Sequence, residues 1–417
     1  MNVLLLSTSD ISGGAARASY RLHQGLKRLN TNTQILVQVK SSDDVAVVEP
    51  RPHLRRDFAK VRPALNALPL KAYSRHEQPL FSVQWLPDFI EPKVRQFKPD
   101  VLNLHWVCDG FLQIETLAKL ECPIIWTLHD MWAFTGGCHY SQECDRYTAA
   151  CGSCPQLGSN RDFDLSRWIW KRKAKAWKNL NLSIVTPSHW LANCARSSSL
   201  FHALPVHVIP YGIDLERYKP TDRKLARQIL KLPQDKKLIL FAAIGATSDR
   251  RKGFQLLQAA LQYLEQAGCA EKFELLVVGA SQPNTPNDLK LRTHYLGTLS
   301  DDVSLSLAYA AADIFVAPST QDNLPNTVIE AFACGTPCVA FNIGGMPDLI
   351  DHQQNGYLAQ PFQIEDLAHG ITWVLSDEKR HQCLADAARQ KAEREFALEK
   401  QATRYIDLFK QMLNTSS

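Results

Sequence analysis

Two doubly wound α/β domains are what this sequence predicts, on three observations. The chain has 417 residues with 45% apolar content, more than one hydrophobic core usually organises. Short β-rich apolar runs recur, each followed by a longer stretch with helical spacing, which signals parallel βα units. A polar interruption bracketed by prolines divides these runs into two series.

The first series is residues 3–6, 34–37, 101–104, 124–128, 183–186 and 207–209; the second is 238–243, 274–278, 314–317 and 337–340. Each series makes one sheet, with its ligand end at the strand carboxyl termini. Between them stands Pro210-Tyr-Gly-Ile-Asp-Leu-Glu-Arg-Tyr-Lys-Pro220, the kind of segment that joins domains. From about Glu365 to Leu413 the spacing predicts successive amphipathic helices. The expected division is 1–210, 211–395 and a terminal helix at 396–417 that packs back on the first domain.

Charged residues make up 21%, and Lys plus Arg exceed Asp plus Glu only by 47 to 42. So mild a surplus does not by itself imply nucleic-acid binding, and no nucleic-acid partner is expected; an acidic substrate or an anionic membrane surface would suit it equally well. No apolar run approaches the roughly 18 residues of a membrane span. The opening Met-Asn-Val-Leu-Leu-Leu-Ser-Thr-Ser-Asp lacks the positive start of a signal peptide and reads as a first buried strand of a cytoplasmic protein. The eleven cysteines are then expected to be mostly reduced.

The strand-ending glycines do not spell G-x-G-x-x-G, and G-x-x-x-x-G-K-[ST], H-E-x-x-H and G-x-S-x-G do not occur, so several common enzyme classes lose weight. One D-x-D, Asp162-Phe-Asp164, reads as a solvated turn rather than a metal site on a donor diphosphate.

The densest constellation is Asp322-Asn-Leu-Pro-Asn-Thr-Val-Ile-Glu330, after the run 314–317. Pro325 suits the first turn of a helix, so the N–H groups of Asn326 and Thr327 would lack intrahelical acceptors and make a seat for a diphosphate. Glu330, one turn further, can accept hydrogen bonds from both hydroxyls of a ribose. The plain structural alternative is a capped helix, with Asn323 as N-cap and Glu330 on a solvated face. Cations should face a diphosphate whose charge grows in the transition state. Gly245-Ala-Thr-Ser-Asp-Arg-Arg-Lys-Gly-Phe254 supplies Lys252 with Arg251 or Arg250. Near the start, Ser7-Thr-Ser-Asp-Ile-Ser-Gly-Gly14 gives two glycines, Gly13 and Gly14, that permit close backbone approach. Trp126-Thr-Leu-His129-Asp130 puts a histidine at the carboxyl end of a strand, with Asp130 either orienting it or capping the next turn.

These residues resemble the E-x7-E region of the retaining family 4 glycosyltransferases (glycosyl transferases group 1, polysaccharide-biosynthesis type). Asp322 stands at the first acidic position and Glu330 at the second. Cys334-Gly-Thr-Pro-Cys-Val-Ala-Phe-Asn-Ile-Gly344-Gly345 is similar to that family's next strand and Gly-Gly turn. The resemblance implies the GT-B fold, two Rossmann-like domains facing across a cleft. It implies that Glu330 takes the ribose and that Asp322, with the backbone of Asn323, Leu324, Pro325, Asn326 and Thr327, takes the donated sugar and diphosphate. It places Lys252 on the phosphates, with Arg251 or Arg250 standing in for the family's usual arginine, where this sequence has Ala246; it places Gly13, Gly14, Gly344 and Gly345 at close backbone approaches and His129 beside the donated sugar. His294-Tyr-Leu-Gly-Thr-Leu-Ser-Asp-Asp302 resembles the base-binding strand and turn, with Leu299 on the base or in the core.

The implied activity is transfer of a hexose-type sugar, with retention and without a catalytic cofactor, from a UDP- or GDP-sugar to a saccharide or lipid-linked acceptor in polysaccharide biosynthesis. A nucleotide-sugar epimerase of the same fold and a noncatalytic sugar-nucleotide-binding protein are the rivals. Cys138-x5-Cys144-x6-Cys151-x2-Cys154 fits a structural zinc site, with an iron–sulfur cluster as the second candidate. Two basic stretches, 51–76 and 168–178, the second rich in tryptophan, suit peripheral attachment to anionic lipid at the inner face of the membrane. Solvated helix faces are the plainer explanation of each.

Overall fold

A computed structural model describes residues 1–49, 56–73, 80–246, 248–268, 270–282 and 289–415. The chain divides into two compact units, Met1–Gly212 with Glu399–Ser417, and Ile213–Leu398. The strands in chain order are β1 Asn2–Ser9, β2 Asn32–Val39, β3 Val47–Val48, β4 Val101–Leu104, β5 Ile124–Thr127, β6 Leu182–Thr186, β7 Val206–Val208, β8 Lys237–Ala242, β9 Phe273–Val278, β10 Thr293–Tyr295, β11 Ile314–Ala317, β12 Cys338–Phe341 and β13 Gly356–Ala359.

In the first unit the sheet order is β3-β2-β1-β4-β5-β6-β7, and every pairing is parallel. The strand period of two explains how one sheet feeds two cores. Leu4, Leu6, Leu102, Leu104, Ile124, Trp126 and Ile184 enter one core. Their neighbours Val3, Leu5, Val101, Ile125 and Val185 enter the other, with Leu22 and Leu26. The helix Leu398–Thr415 lays Tyr405, Leu408, Phe409 and Met412 on that second face, an i, i+3, i+4, i+7 stripe. The Tyr405 hydroxyl and Thr127 Oγ1 are hydrogen-bonded at 2.8 Å. Each large apolar side chain so buried contributes about 1.5–3 kcal/mol.

The second unit repeats the plan with the order β10-β9-β8-β11-β12-β13, again all parallel. Ile239, Phe241, Leu275, Val277, Ile314, Val316, Val339 and Phe341 face a core completed by Leu257, Leu261, Leu367 and Ile371. The amino-terminal ends of β8 and β11 are pinned by buried Asp313. It accepts from the Leu238 amide at 2.7 Å, from Arg227 at 2.6 Å and from Arg223 at 2.9 Å.

In both sheets the strand order reverses once, between β1 and β4 in the first and between β8 and β11 in the second. At such a switch point adjacent loops leave on opposite sides and open a crevice at the strand carboxyl ends, where ligands bind in folds of this type. Strands β3 and β13 were not expected from the sequence. The first is two residues long, and the second opens on a glycine that leaves only three apolar residues, Tyr357 to Ala359.

Candidate active site

In the second unit the loops that leave β8 and β11 meet. After β8 the chain makes a 3-10 turn, Arg250–Lys252, whose cap Asp249 accepts from the Arg251 amide at 3.0 Å. Gly253 follows at φ 74°, and a Cβ there would lie 1.9 Å from the Pro318 carbonyl oxygen. The turn is thereby pressed against the exit of β11, and the Thr320 amide donates to the Arg251 carbonyl at 2.9 Å. Lys252 Nζ then reaches Asp322 Oδ2 at 2.7 Å, with Arg251 Nη1 at 3.4 Å from the same oxygen. Ser319 Oγ donates to Oδ2 at 3.3 Å and the Asn323 amide to Oδ1 at 3.0 Å. Burial alone would raise the Asp322 carboxyl, but the Lys252 ammonium and Arg251 guanidinium hold it below the ordinary aspartate value. Arg250 is exposed.

The next turn closes on the same aspartate through its backbone. Gly345 N donates to the Asp322 carbonyl at 3.1 Å. Gly344 sits at φ 52°, and a Cβ there would lie 2.0 Å from that carbonyl oxygen. Gly344→Ala is therefore expected to cost at least about 1–3 kcal/mol in backbone strain, read as a lower denaturation midpoint. An unchanged midpoint would mean that this approach is looser than described.

The helix Asn326–Ala333 has Pro325 as its N-cap residue. This corrects two expectations: Pro325 stands one position before the first turn, and Asn323 is not the cap. Asn323 and Leu324 are buried in the approach to it, while Asn326 and Thr327 are half-exposed. The amides of Asn326 and Thr327 open the first turn, where no acceptor exists within the helix. Glu330 is 3% exposed, so the solvated-face alternative fails. The hydroxyl of buried Tyr309 donates to Glu330 Oε2 at 2.9 Å and fixes the carboxylate. Leu299 lies in the loop after edge strand β10, half-buried and outside the main apolar core; β9 and β8 stand between β10 and β11.

In the first unit, Gly13 (φ 101°) is the N-cap of the helix Gly14–Arg28. Its loop is anchored by buried Asp10, which accepts from the amides of Ser41 and Ser42 at 3.0 and 2.8 Å. His129 follows β5, half-buried, and Asp130 does not orient it. Asp130 instead pairs with His139 Nδ1 at 2.6 Å and receives the Trp132 amide at 2.8 Å. The orienting groups are Tyr211, at 2.7 Å from Nδ1 and stacked on the ring, and His105, whose Nδ1 is 3.0 Å from Nε2.

The hydrogen positions along this chain follow from its far end. Asn103 Nδ2 donates to the Ile125 carbonyl, so Asn103 Oδ1 faces His105 Nε2 and takes its proton at 3.0 Å. His105 Nδ1 then offers a lone pair, His129 Nε2–H fills it, and His129 Nδ1 accepts from the Tyr211 hydroxyl. Burial holds His105 well below the ordinary histidine value and lowers His129 to about 4, against the pull of Asp130. Both rings are neutral at physiological pH. His105 and Tyr211 were missed in the sequence. His105 follows β4 just as His129 follows β5, so the same strand-end reasoning reaches it; Tyr211 hid in the interdomain segment.

The four cysteines 138, 144, 151 and 154 line one cavity in the first unit. Among the described residues no three His, Cys, Asp or Glu side chains converge as ligands of a single ion. Asp164 is no solvated turn residue. It is buried, caps the helix Leu165–Ala176 through the Arg167 amide, and receives the Cys154 amide at 2.7 Å. Of the basic stretch 168–178, Lys173 is fully buried and Arg172 pairs with Glu115 at 2.7 Å, leaving Lys171, Lys175, Lys178 and Trp168 exposed. In the stretch 51–76, Arg62 is buried and donates to the Gly110 and Pro87 carbonyls, Lys71 is exposed, and Arg55, Arg75 and the side chains of Arg56 and Lys60 lie outside the described residues. No helix among the described residues is long and apolar enough to cross a membrane.

Two family models match the chain, Glycosyltransferase Family 4 over residues 12–217 and Glycosyl transferases group 1 over residues 222–391. Among curated relatives, a D-inositol 3-phosphate glycosyltransferase of Saccharomonospora viridis is 29% identical over 51% of this chain and 52% of its own length. The sulfoquinovosyl transferase SQD2 of Arabidopsis thaliana is 26% identical over 72% of this chain and 55% of its own. The chain thus spans about half the length of the curated relatives it matches. Among solved structures, sucrose-phosphate synthase of Thermosynechococcus elongatus superposes with a TM-score of 0.71 at 19% identity over 100% of both chains. HepE of Anabaena in complex with UDP-glucose gives 0.65 at 16% identity over 99% of this chain and 100% of its own.

Proposed function

The chain belongs to the family 4, group 1 glycosyltransferases with the GT-B fold, and from that premise we propose that it moves a hexose-type sugar, with retention, from a nucleotide-sugar to a saccharide or lipid-linked acceptor. The observation that carries the reading is the contact of Lys252 and Arg251 with Asp322, at the carboxyl ends of the two strands that flank the switch point. The helix that follows bears the buried, Tyr309-held Glu330.

In this reading the diphosphate sits on the first-turn amides of Asn326 and Thr327, with Lys252 and Arg251 opposing the negative charge that grows as the nucleotide departs. Glu330 accepts the ribose hydroxyls. Asp322 and the backbone of Asn323, Leu324 and Pro325 meet the donated sugar, and Gly344 and Gly345 keep the backbone close. In the first unit, Gly13 and Gly14 follow β1 and His129 follows β5, so in this reading that unit's own strand carboxyl ends would meet phosphate and sugar groups. The departing phosphate oxygen takes the acceptor's proton on the face it leaves, so the site needs no separate carboxylate base. UDP-sugars are the first donors to try, because the structural relative HepE is seen with UDP-glucose.

A thermal-shift panel of UDP-, GDP-, ADP- and TDP-sugars tests the proposal. The cognate donor at 100 times its Kd should add about 2.7 kcal/mol of stability, and transfer to an added saccharide should follow. Stabilisation by none of them would overturn the reading. Conversion of the sugar without an acceptor would mark an epimerase, and binding without turnover a sensor or carrier.

A further inference from the structure

Sugar transfer needs a second ligand, and the first unit has a crevice of its own, at the switch point between β1 and β4. We propose, resting on the transferase reading, that Asp109 reads the acceptor there: its carboxylate, with the ring of Trp106, receives the hydroxyls of an uncharged sugar and turns away one bearing a phosphate or carboxylate. Few side chains are available to do so. From Val101 to Gly110, which covers β4 and its loop, only Trp106 and Asp109 are not buried. From Ile124 to Gly137, which covers β5 and its loop, only His129 and Asp130 are not. Neither stretch contains a lysine or arginine.

Two of the three polar side chains among these are already engaged. His129 is held between Tyr211 and His105. Asp130 is paired with His139 at 2.6 Å and accepts from Trp106 Nε1 at 2.9 Å, which fixes the indole. Asp109 differs. Its carbonyl accepts from Gln38 Nε2 at 3.3 Å, but its carboxylate makes no hydrogen bond or ion pair among the described residues. Burial raises that carboxyl above the ordinary aspartate value, while nearby His139 draws it down. A half-buried carboxylate without donors is unfavourable for folding. The loop that carries it is nonetheless firmly placed. Thr8 Oγ1 donates to the Trp106 and Cys108 carbonyls at 3.0 Å each, and Gln84 bridges the Val107 carbonyl and the Gly110 amide at 2.8 and 2.7 Å.

An ionised carboxylate only accepts, so it suits a donor from outside the chain, and sugar hydroxyls are donors. Such charge-assisted bonds are stronger than those between neutral groups. The flat Trp106 ring gives the C–H face of a sugar an apolar surface. A phosphate or carboxylate brings acceptor oxygens and a like charge, which is repelled most where water is scarce. The backbone does not account for the aspartate. Its φ of 56° lies in the left-handed region, which asparagine tolerates as well and glycine better. The charge is what those residues lack.

The test uses the full chain with the nucleotide-sugar that the thermal-shift panel selects. The acceptors are octyl glucoside, galactoside and mannoside, and the same glycosides phosphorylated on the primary hydroxyl. Expected is transfer to at least one octyl glycoside, with its phosphate poorer in kcat/KM by about 10-fold or more. Asp109→Asn should lose about 10–100-fold in kcat/KM for that glycoside, the usual worth of one hydrogen bond to a charged group, and should discriminate less against the phosphate. Asp109→Gly should lose at least as much. In both variants the donor-induced thermal shift and the slow hydrolysis of donor by water should stay as in the parent. Without ligands, Asp109→Asn should melt at the parent's temperature or about 2–4 °C above it, since an unpaired carboxylate is gone. A lower midpoint for Asp109→Asn would give the carboxylate a structural duty and overturn the proposal. So would transfer to none of the octyl glycosides, better transfer to a phosphate, or an unaltered kcat/KM in Asp109→Asn. A parent that binds no nucleotide-sugar fails the transferase reading instead.

Discussion

Truncating Glu330 to alanine is expected to abolish detectable sugar transfer and to weaken nucleotide binding about 10²–10⁴-fold. The magnitude follows from losing two charge-assisted hydrogen bonds to the ribose at about 1.5–3 kcal/mol each. A second cost falls on the protein itself, because the hydroxyl of buried Tyr309 loses its 2.9 Å acceptor. Calorimetric titration with the nucleoside diphosphate separates the two effects from a simple loss of fold, and Tyr309→Phe supplies the comparison. Tyr309→Phe keeps the carboxylate but frees its orientation, so a smaller loss is expected. A Glu330→Ala protein that binds the nucleotide as tightly as the parent would remove the ribose role.

Lys252→Ala is expected to lower kcat about 10²–10³-fold, the usual cost of deleting one preorganised group that faces developing negative charge. The Michaelis constant for the donor should move less, since the ammonium counts most when the diphosphate is leaving. Arg251 does not replace it, because its guanidinium also donates to the Gln321 carbonyl at 3.0 Å and to Asp249 at 3.3 Å. Lys252→Arg should recover part of the rate. Steady-state kinetics at saturating donor decide the matter, and an unaltered kcat for Lys252→Ala would remove the lysine from the chemistry.

Much of the fold was legible because parallel strands buried on both faces read as continuous apolar runs. Val101–Leu104 and Ile314–Ala317 were found to the residue. What escaped was local and short, such as Val47–Val48 at a sheet edge. The candidate site was legible where chemistry-bearing residues sit close in sequence, as from Asp322 to Glu330. It was illegible where the partner comes from elsewhere in the chain. Tyr309 is helical and apolar in context, and nothing near it announces that its hydroxyl serves a carboxylate 21 positions on. Asp322 shows the same limit in another form. Its acidity was visible, but its capture by two cations from the loop after β8 depends on Gly253 allowing that loop to touch Pro318.

The hydrogen-bonded run from Tyr211 through His129 and His105 to Asn103 makes the imidazole of His129 a finished circuit. Its one lone pair is spent on a phenol and its one proton on a neighbouring ring. A ring so wired has nothing with which to pull a proton from an incoming hydroxyl. Under the proposed function, what it would offer a sugar is a flat, neutral wall of fixed polarity, insulated from solution acidity down to about pH 4. Under that same proposal, deprotonation of an acceptor falls to something that arrives with the substrates.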